Sequence, residues 1–279
     1  MPEAIESVLN QTRQDFEIIV VNDGSTDEAG LDILRNRTFP KTTVLHQTNK
    51  GVSAARNAAI RAARGKYIIP LDADDKFAPD YLAKAAAILE ENQKVGIVYA
   101  KARYFGSRDD VWNLPPFSIE DFLFDNCIHA SSMFRKSDWE QVGGYDESLH
   151  FFEDFEFYLS LLELEPQVVA IPEILFFYRQ HNDSKTKKLN PGVAMQMMVD
   201  LFAYALKKHA KLYSQYPQAM AVRIVRSPPK SERRVSRFKL FKYNFLLKIC
   251  ALLAHLPFTR VWALKKKEYY ISRRRRVVL

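Results

Sequence analysis

Two rhythms run along the first two thirds of the chain. Apolar positions at helical spacing predict helices over Pro2 to Leu9, with Ile5, Val8 and Leu9 on one face, over Ala54 to Ala63, Pro79 to Glu91, Phe117 to Leu123 and Ser137 to Val142, and across 191–216. Short apolar and β-branched runs predict strands at Phe16 to Val21, Thr43 to His46, Tyr67 to Leu71, Val95 to Ala100, Ala130 to Arg135, Val168 to Ile171 and Ile174 to Tyr178, the last two set around Pro172. Phe155, Tyr158, Leu159 and Leu162 mark a further helix, whose first turn holds Glu153 and Asp154. Strands that alternate with helices in this way predict an α/β domain. From Arg237 to Leu256 the pattern changes to a basic amphipathic helix, with Phe238, Phe241, Phe245, Ile249, Leu252 and Leu256 as its stripe and Lys239, Lys242 and Lys248 beside it.

Composition adds a division of charge. The 279 residues carry a net charge of +8, but 223–279 hold 17 Lys and Arg against 2 acids, which leaves 1–222 at −7. An acidic body with a basic tail predicts a catalytic domain over 1–188, a helical segment over 189–222 and a basic amphipathic extension over 223–279. Cys127 and Cys250 stand far apart without metal-like spacing, which predicts a reducing compartment and no disulfide framework. No apolar stretch reaches the length of a membrane span, so the body is expected to be cytoplasmic.

The candidate chemistry sits where strands end. Leu71-Asp72-Ala73-Asp74-Asp75 follows an apolar run, the pattern of a strand delivering acids to the rim of a sheet, where open α/β sheets bind their ligands. Neighbouring carboxylates repel each other, and a divalent cation on a diphosphate relieves that repulsion. A solvated turn opening the next helix, capped by Asp75 or Asp80, is the plain alternative. The strand over 16–21 runs into Asn22-Asp23-Gly24-Ser25, where Gly24 permits close backbone approach and Asp23 faces a base or ribose, or else Asp23 and Ser25 form a local turn and helix cap. Lys50 and Arg56 flank a helix start, where the dipole disfavours cations and an anionic ligand would favour them, with solvent exposure as the alternative. Gly143-Gly144 gives a sharp reversal before Glu153-Asp154, which also reads as an N-terminal acidic pair. Arg179-Gln180-His181 closes the series, with Arg179 either a phosphate ligand or a surface ion-pair partner.

Taken together, Glu3 to Thr12, Ile19 to Asp27, Asn49-Lys50-Gly51, Ala55-Arg56-Asn57, Leu71 to Asp75, Glu153-Asp154 and Tyr178-Arg179-Gln180-His181 resemble a family-2 glycosyltransferase with the GT-A fold. The resemblance covers roughly 3–185. It implies a mixed, mostly parallel sheet flanked by helices, a nucleotide-diphosphate sugar donor, Mn²⁺ or Mg²⁺ on the diphosphate, and inversion at the anomeric carbon. Carried over by position, it implies Asp23 with Gly24 and Ser25 at the nucleoside, Asp72 at the ribose or donor sugar, and Asp74 and His181 at the metal. It also implies Lys50, Arg56 and Arg179 on the donor, Asp154 as catalytic base, and Glu153 and Gly144 on the acceptor side.

Members of that family begin with a strand ending in Pro-x-Tyr/Phe-Asn, and Met1 falls after it, inside the following helix. The expectation is a truncated or mis-assigned start, two strand edges left unpaired in the middle of the sheet, and impaired donor binding. The expected function is transfer of a sugar to a saccharide or lipid-linked acceptor in cell-surface polysaccharide or glycolipid assembly. A non-catalytic membrane-associated nucleotide-sugar-binding protein and a sugar-1-phosphate nucleotidyltransferase stand as alternatives, the latter lacking its N-terminal Gly-rich phosphate loop. For the tail, attachment of 237–279 to an anionic membrane on the inner face of the cytoplasmic membrane ranks before packing onto the body, and nucleic-acid binding comes last, since no nucleic-acid fold signature accompanies the charge.

Overall fold

The computed structural model describes residues 1–181, 191–217 and 219, and divides into two units, Met1–Leu189 and Asn190–Leu279. The basic amphipathic stripe over 237–256 and Arg273 to Arg276 lie outside the described residues.

In the first unit, helix α1 (Pro2–Leu9) precedes strand β1 (Ile18–Asp23), α2 (Glu28–Asn36), β2 (Thr42–Gln47) and α3 (Val52–Ala62). β1 and β2 pair in parallel from Ile18↔Thr42 to Asp23↔Gln47, and form a sheet of two strands. Then come β3 (Tyr67–Ile68), β4 (Lys76–Phe77), α4 (Tyr81–Glu91), β5 (Val95–Gly106), β6 (Val111–Trp112), α5 (Ile119–Phe122), β7 (Met133–Arg135), α6 (Lys136–Val142), α7 (Glu153–Leu162) and β8 (Gln167–Gln180). Their sheet runs β3-β7-β5-β8-β4, with β6 on the edge of β5. Only β5 and β8 pair in parallel, while β3, β4, β6 and β7 pair antiparallel. The sheet is therefore more mixed than the mostly parallel one expected.

The core lies where α4 meets this sheet. Tyr81, Leu82, Ala85 and Leu89 of α4 pack on Val98, Ala100 and Ala102 of β5 and on Ile171, Leu175 and Phe176 of β8. Burying such side chains supplies about 1.5–3 kcal/mol each, which is what fixes the helix over the strands. Arg135, at the end of β7, is buried in the same region. Its guanidinium donates to the carbonyls of Leu89 (2.7 Å) and Val95, closing the last turn of α4 onto the start of β5.

The predicted strands differ in two places. Only Tyr67 and Ile68 of the run over 67–71 form ladder bonds, to Arg135 and Phe134 of β7, because no strand lies on the other edge of β3 among the described residues. The two short strands around Pro172 are one strand, β8. Its register jumps from Ala100↔Ile171 to Lys101↔Ile174, so Pro172 falls in a bulge and needs no ladder donor. Between β1 and β3 the sheet is interrupted by a cleft of about 830 Å³, lined by Ile19 and Val21 of β1, Ile68 of β3, Ile5 and Val8 of α1, and Ile60 of α3.

The second unit contains α8 (Pro191–Lys208) and α9 (Ala210–Gln215). The helix predicted across 191–216 is thus broken at His209. Phe202, Ala205, Leu212 and Tyr213 are buried. Among the described residues no helix is long and apolar enough to cross a membrane.

Candidate active site

The acidic run after β3 turns at the rim of the larger sheet and does not open a helix. Asp75 points inward, 2% exposed, where its Oδ1 accepts the Arg179 backbone N–H at 2.8 Å. Burial, reinforced by Asp72 and Asp74, pushes its carboxyl up to about 8. Asp74 is half exposed, and its Oδ2 lies 2.9 Å from His181 Nε2. Strand β8 ends one residue before His181 and so brings the imidazole to the acidic turn. Of the two readings of Arg179 the structure shows the ion pair: the guanidinium bonds to Glu3 and to the Asp74 carbonyl (2.8 Å) and lies 4.2 Å from the centre of the Phe105 ring.

At the end of β1, Asp23 accepts three hydrogen bonds of 2.8 Å, from Gln47 Nε2 and from the backbone N–H groups of Lys50 and Gly51. Burial opposes ionisation here, yet these donors hold the carboxyl below its ordinary value. Gly24, at φ +70°, sits so close to the next loop that a Cβ would lie 2.7 Å from Asn49 N. The helix-cap reading of Asp23 and Ser25 fails, because Asp27 caps α2 by accepting from Gly30 N at 2.9 Å. Ser25 does take part in a local turn, its N–H donating to Asn22 Oδ1 at 2.9 Å.

The third group joins two distant segments. Arg56 of α3 donates through Nη2 to Asp72 at 2.9 Å and through Nη1 to Glu153 at 2.7 Å, with only 10% of its side chain exposed. Burial works against its charge, but Asp72, Tyr145 and Glu153 around it raise the pKa above the ordinary arginine value. Its fork is occupied by the protein's own carboxylates, which also explains a cation tolerated in the first turns of a helix.

Glu153 and Asp154 open α7, as the spacing predicted. The chain enters this helix through Phe152, at φ +60°, an uncommon conformation for a bulky residue. Asp154 accepts from Phe155 N at 2.8 Å through Oδ1 and from Asn126 Nδ2 at 3.1 Å through Oδ2. Burial, with the nearby charge of Glu153, pushes its carboxyl up to about 6, and Arg56 partly offsets the rise.

Asp72, Arg56 and Glu153 thus share one network, with Asp154 next to Glu153 and within reach of its charges, and Asp74, His181, Asp75 and Arg179 share a second on the same acidic turn. Asp23, Gly24, Ser25 and Lys50 stand apart at the end of β1. Gly144 belongs to the scaffold: at φ +81° it packs on Asn57, where a Cβ would lie 2.8 Å from Oδ1.

Two residues that the sequence reading assigned no role support the site. Asn57 is buried with its amide fully used, donating to the Tyr145 carbonyl and Glu147 at 2.8 Å each and accepting from Tyr145 N (2.9 Å) and Trp139 Nε1 (3.2 Å). An asparagine inside an alanine-rich helix was the available signal. Asn126 lies in a segment without periodicity and gave none.

Asp74 and His181 offer an oxygen and a nitrogen side by side. Among the described residues no group of three or more His, Cys, Asp or Glu is arranged to hold a metal. An ion of the Mg²⁺ or Mn²⁺ type held by this pair would need substrate phosphates and water for its remaining positions.

A mixed α/β sheet that presents carboxylates along one rim, with a helix-borne acidic pair tied to them, defines a GT-A glycosyltransferase fold. The chain belongs to glycosyl transferase family 2, whose model matches residues 1–151. The chondroitin synthase of Escherichia coli is 33% identical over 168 residues, covering 58% of this chain and 24% of that one. The glycosyltransferase EpsJ of Bacillus subtilis is 32% identical over 206 residues, covering 66% of this chain and 58% of that one. The chain thus spans well under two thirds of these relatives. Among solved structures, S. aureus TarS 1-349 in complex with UDP-GlcNAc superposes with a TM-score of 0.64 at 17% identity, covering 96% of this chain and 84% of that one.

Proposed function

We propose that the protein transfers a sugar from a nucleotide-diphosphate donor to a hydroxyl of a saccharide or lipid-linked acceptor, with inversion at the anomeric carbon. The observation that carries this reading is Asp154. Its carboxyl is raised to about 6, so it is mostly ionised at neutral pH and still basic enough to take a proton. It stands at a helix start bridged through Glu153 and Arg56 to the acidic turn.

In this mechanism Asp154 accepts the acceptor's hydroxyl proton as the new C–O bond forms, while the bond to the diphosphate breaks on the opposite face. Asp23, held ionised by its donors, takes a ribose or base, and Asp72 the ribose or donor sugar. Asp74 and His181 would hold Mg²⁺ or Mn²⁺, which supplies charge stabilisation to the leaving diphosphate when bound. The TarS complex makes a UDP-sugar the first donor to try. The charge of 237–279 supports an additional contact with an anionic lipid surface, and a lipid-linked acceptor would give that contact a purpose.

A thermal-shift panel of UDP-, GDP- and dTDP-sugars, with and without Mn²⁺, tests the reading, since a ligand that binds only the folded state raises its melting temperature. One nucleotide series is expected to give a metal-dependent shift that Asp74→Asn loses. Asp154→Asn should keep the shift and lose turnover by two or more orders of magnitude, roughly the contribution of a general base. Turnover at the wild-type rate in Asp154→Asn would remove the residue from its role.

A further inference from the structure

We propose that Arg56 is a positioning residue that couples the donor side of the site to the base: one guanidinium holds Asp72 and Glu153 together and thereby sets both the placement and the basicity of Asp154. The inference rests on the functional reading above and deepens it.

The geometry has three parts. First, the two arms of the fork go to carboxylates 81 positions apart, Asp72 on the acidic turn and Glu153 at the start of α7, at 2.9 and 2.7 Å. A lysine, with one charge centre on a flexible stem, does not reproduce a planar two-armed bridge. Second, the guanidinium is fixed from below, its Cζ 5.5 Å from the centre of the Tyr145 ring, and Tyr145 is itself clamped through its backbone by Asn57, on the same helix as Arg56. Third, Asp154 follows Glu153 directly, so whatever fixes the Glu153 carboxylate also fixes the first turn of α7 and the direction in which Asp154 faces.

The charges around Asp154 make the consequence definite. On its own helix stands Glu153, on the acidic turn Asp72, and Tyr145 and Tyr158 are the phenols near it. Arg56 is the cation acting on it. Asn126 donates a neutral hydrogen bond. Removing Arg56 therefore leaves two carboxylates beside the base without the cation that balances them, and Asp154 becomes harder to ionise. A residue that bound donor phosphates directly would act differently, because its loss would fall first on nucleotide affinity.

The test titrates Asp154 itself, so it does not depend on turnover. The full chain is labelled with ¹³C at aspartate carboxyls, the Asp154 resonance is assigned by its absence in Asp154→Asn, and its midpoint is followed in wild type, Arg56→Gln and Arg56→Lys, with UDP affinity measured by calorimetry on each. Arg56→Gln is expected to move the midpoint upward by about one unit or more, the usual effect of a nearby charge, while UDP affinity falls no further than in Asp72→Asn measured alongside, since Arg56 reaches the donor only through Asp72. Arg56→Lys keeps the midpoint within about half a unit, because the charge remains. It loses at least tenfold in kcat on the donor found in the panel, because the bridge does not. An unmoved midpoint in Arg56→Gln overturns the proposal, as does a loss of UDP binding with the midpoint unchanged. If Arg56→Gln does not fold, Arg56→Lys decides alone, and wild-type kcat in it overturns the bridge. A chain that binds UDP and shows the expected midpoints but transfers no sugar would instead overturn the functional reading.

Discussion

At the scale of single residues, two buried groups pull the pH dependence of stability in opposite directions. His129 is buried with its Nε2 against the Ala100 carbonyl, and burial lowers its pKa to about 4. Since the unfolded chain binds that proton below about 6.5, His129 makes stability rise as pH goes from 4 to 6.5. Asp154 has the reverse sign: with its carboxyl raised to about 6, the folded state holds a proton that the unfolded state has released, and stability falls from pH 4 to 6. Each shift is worth about 3 kcal/mol, so they nearly cancel. Asp75, pushed up to about 8, adds a further fall in both proteins, so the expectation is read as a difference: relative to wild type, the melting temperature of Asp154→Asn should rise between pH 4.5 and 6. Calorimetry of both proteins checks this, and the carboxylates with lowered pKa values, such as Asp23, contribute equally to each and drop out of the difference. Parallel curves would mean that Asp154 titrates in the folded state as it does in the unfolded one.

At the scale of elements, the α4–β5 junction hangs on one side chain. Arg135 places guanidinium N–H groups on the Leu89 carbonyl, which the end of α4 leaves without an intrahelical partner, and on the carbonyls of Asn92 and Val95 where the chain enters β5. Arg135→Met fills the volume but strands those acceptors, and the cost should be roughly 2–4 kcal/mol. Urea unfolding would read this as a lower midpoint at unchanged slope; a loss under about 0.5 kcal/mol would mean that water replaces the guanidinium. The two sheets should also differ in how easily they open. Among the described residues β1 and β2 have only each other, and the outer edge of β1 borders the cleft, whereas β5 is paired along its length with β8 and on its other edge with β7 and β6. Amides of Val20 and Leu45 should exchange with solvent well before those of Val98 and Ala100. Equal protection would show the interrupted sheet opening as one cooperative body.

At the scale of the whole molecule, the acidic body and the basic tail are features of the sequence that the described residues meet only in part. The body is a mixed sheet whose chemistry gathers along one rim, in two networks that share the turn over 71–75. The candidate site residues come from strand ends, one helix start and the end of β8.

What the sequence determined by itself was everything carried by a local pattern. Helical spacing placed Glu153 and Asp154 in the first turn of α7, a β-branched run ended at Asp23, and a glycine at 24 announced a close approach that only a missing Cβ allows. The ordered motifs were enough to name the family. Tertiary structure decided what each side chain is bonded to. Arg56 looked like a cation awaiting an anion because Asp72 and Glu153 lie 16 and 97 positions away, and no spacing rule links them. Asp75 looked like a cap until the chain folded its carboxyl beneath the Arg179 backbone N–H, 104 positions on. The physical reason is the same in each case. Hydrogen-bond periodicity within helices and strands is written over a few residues, whereas desolvation and charge pairing depend on which distant segments the sheet brings to one rim.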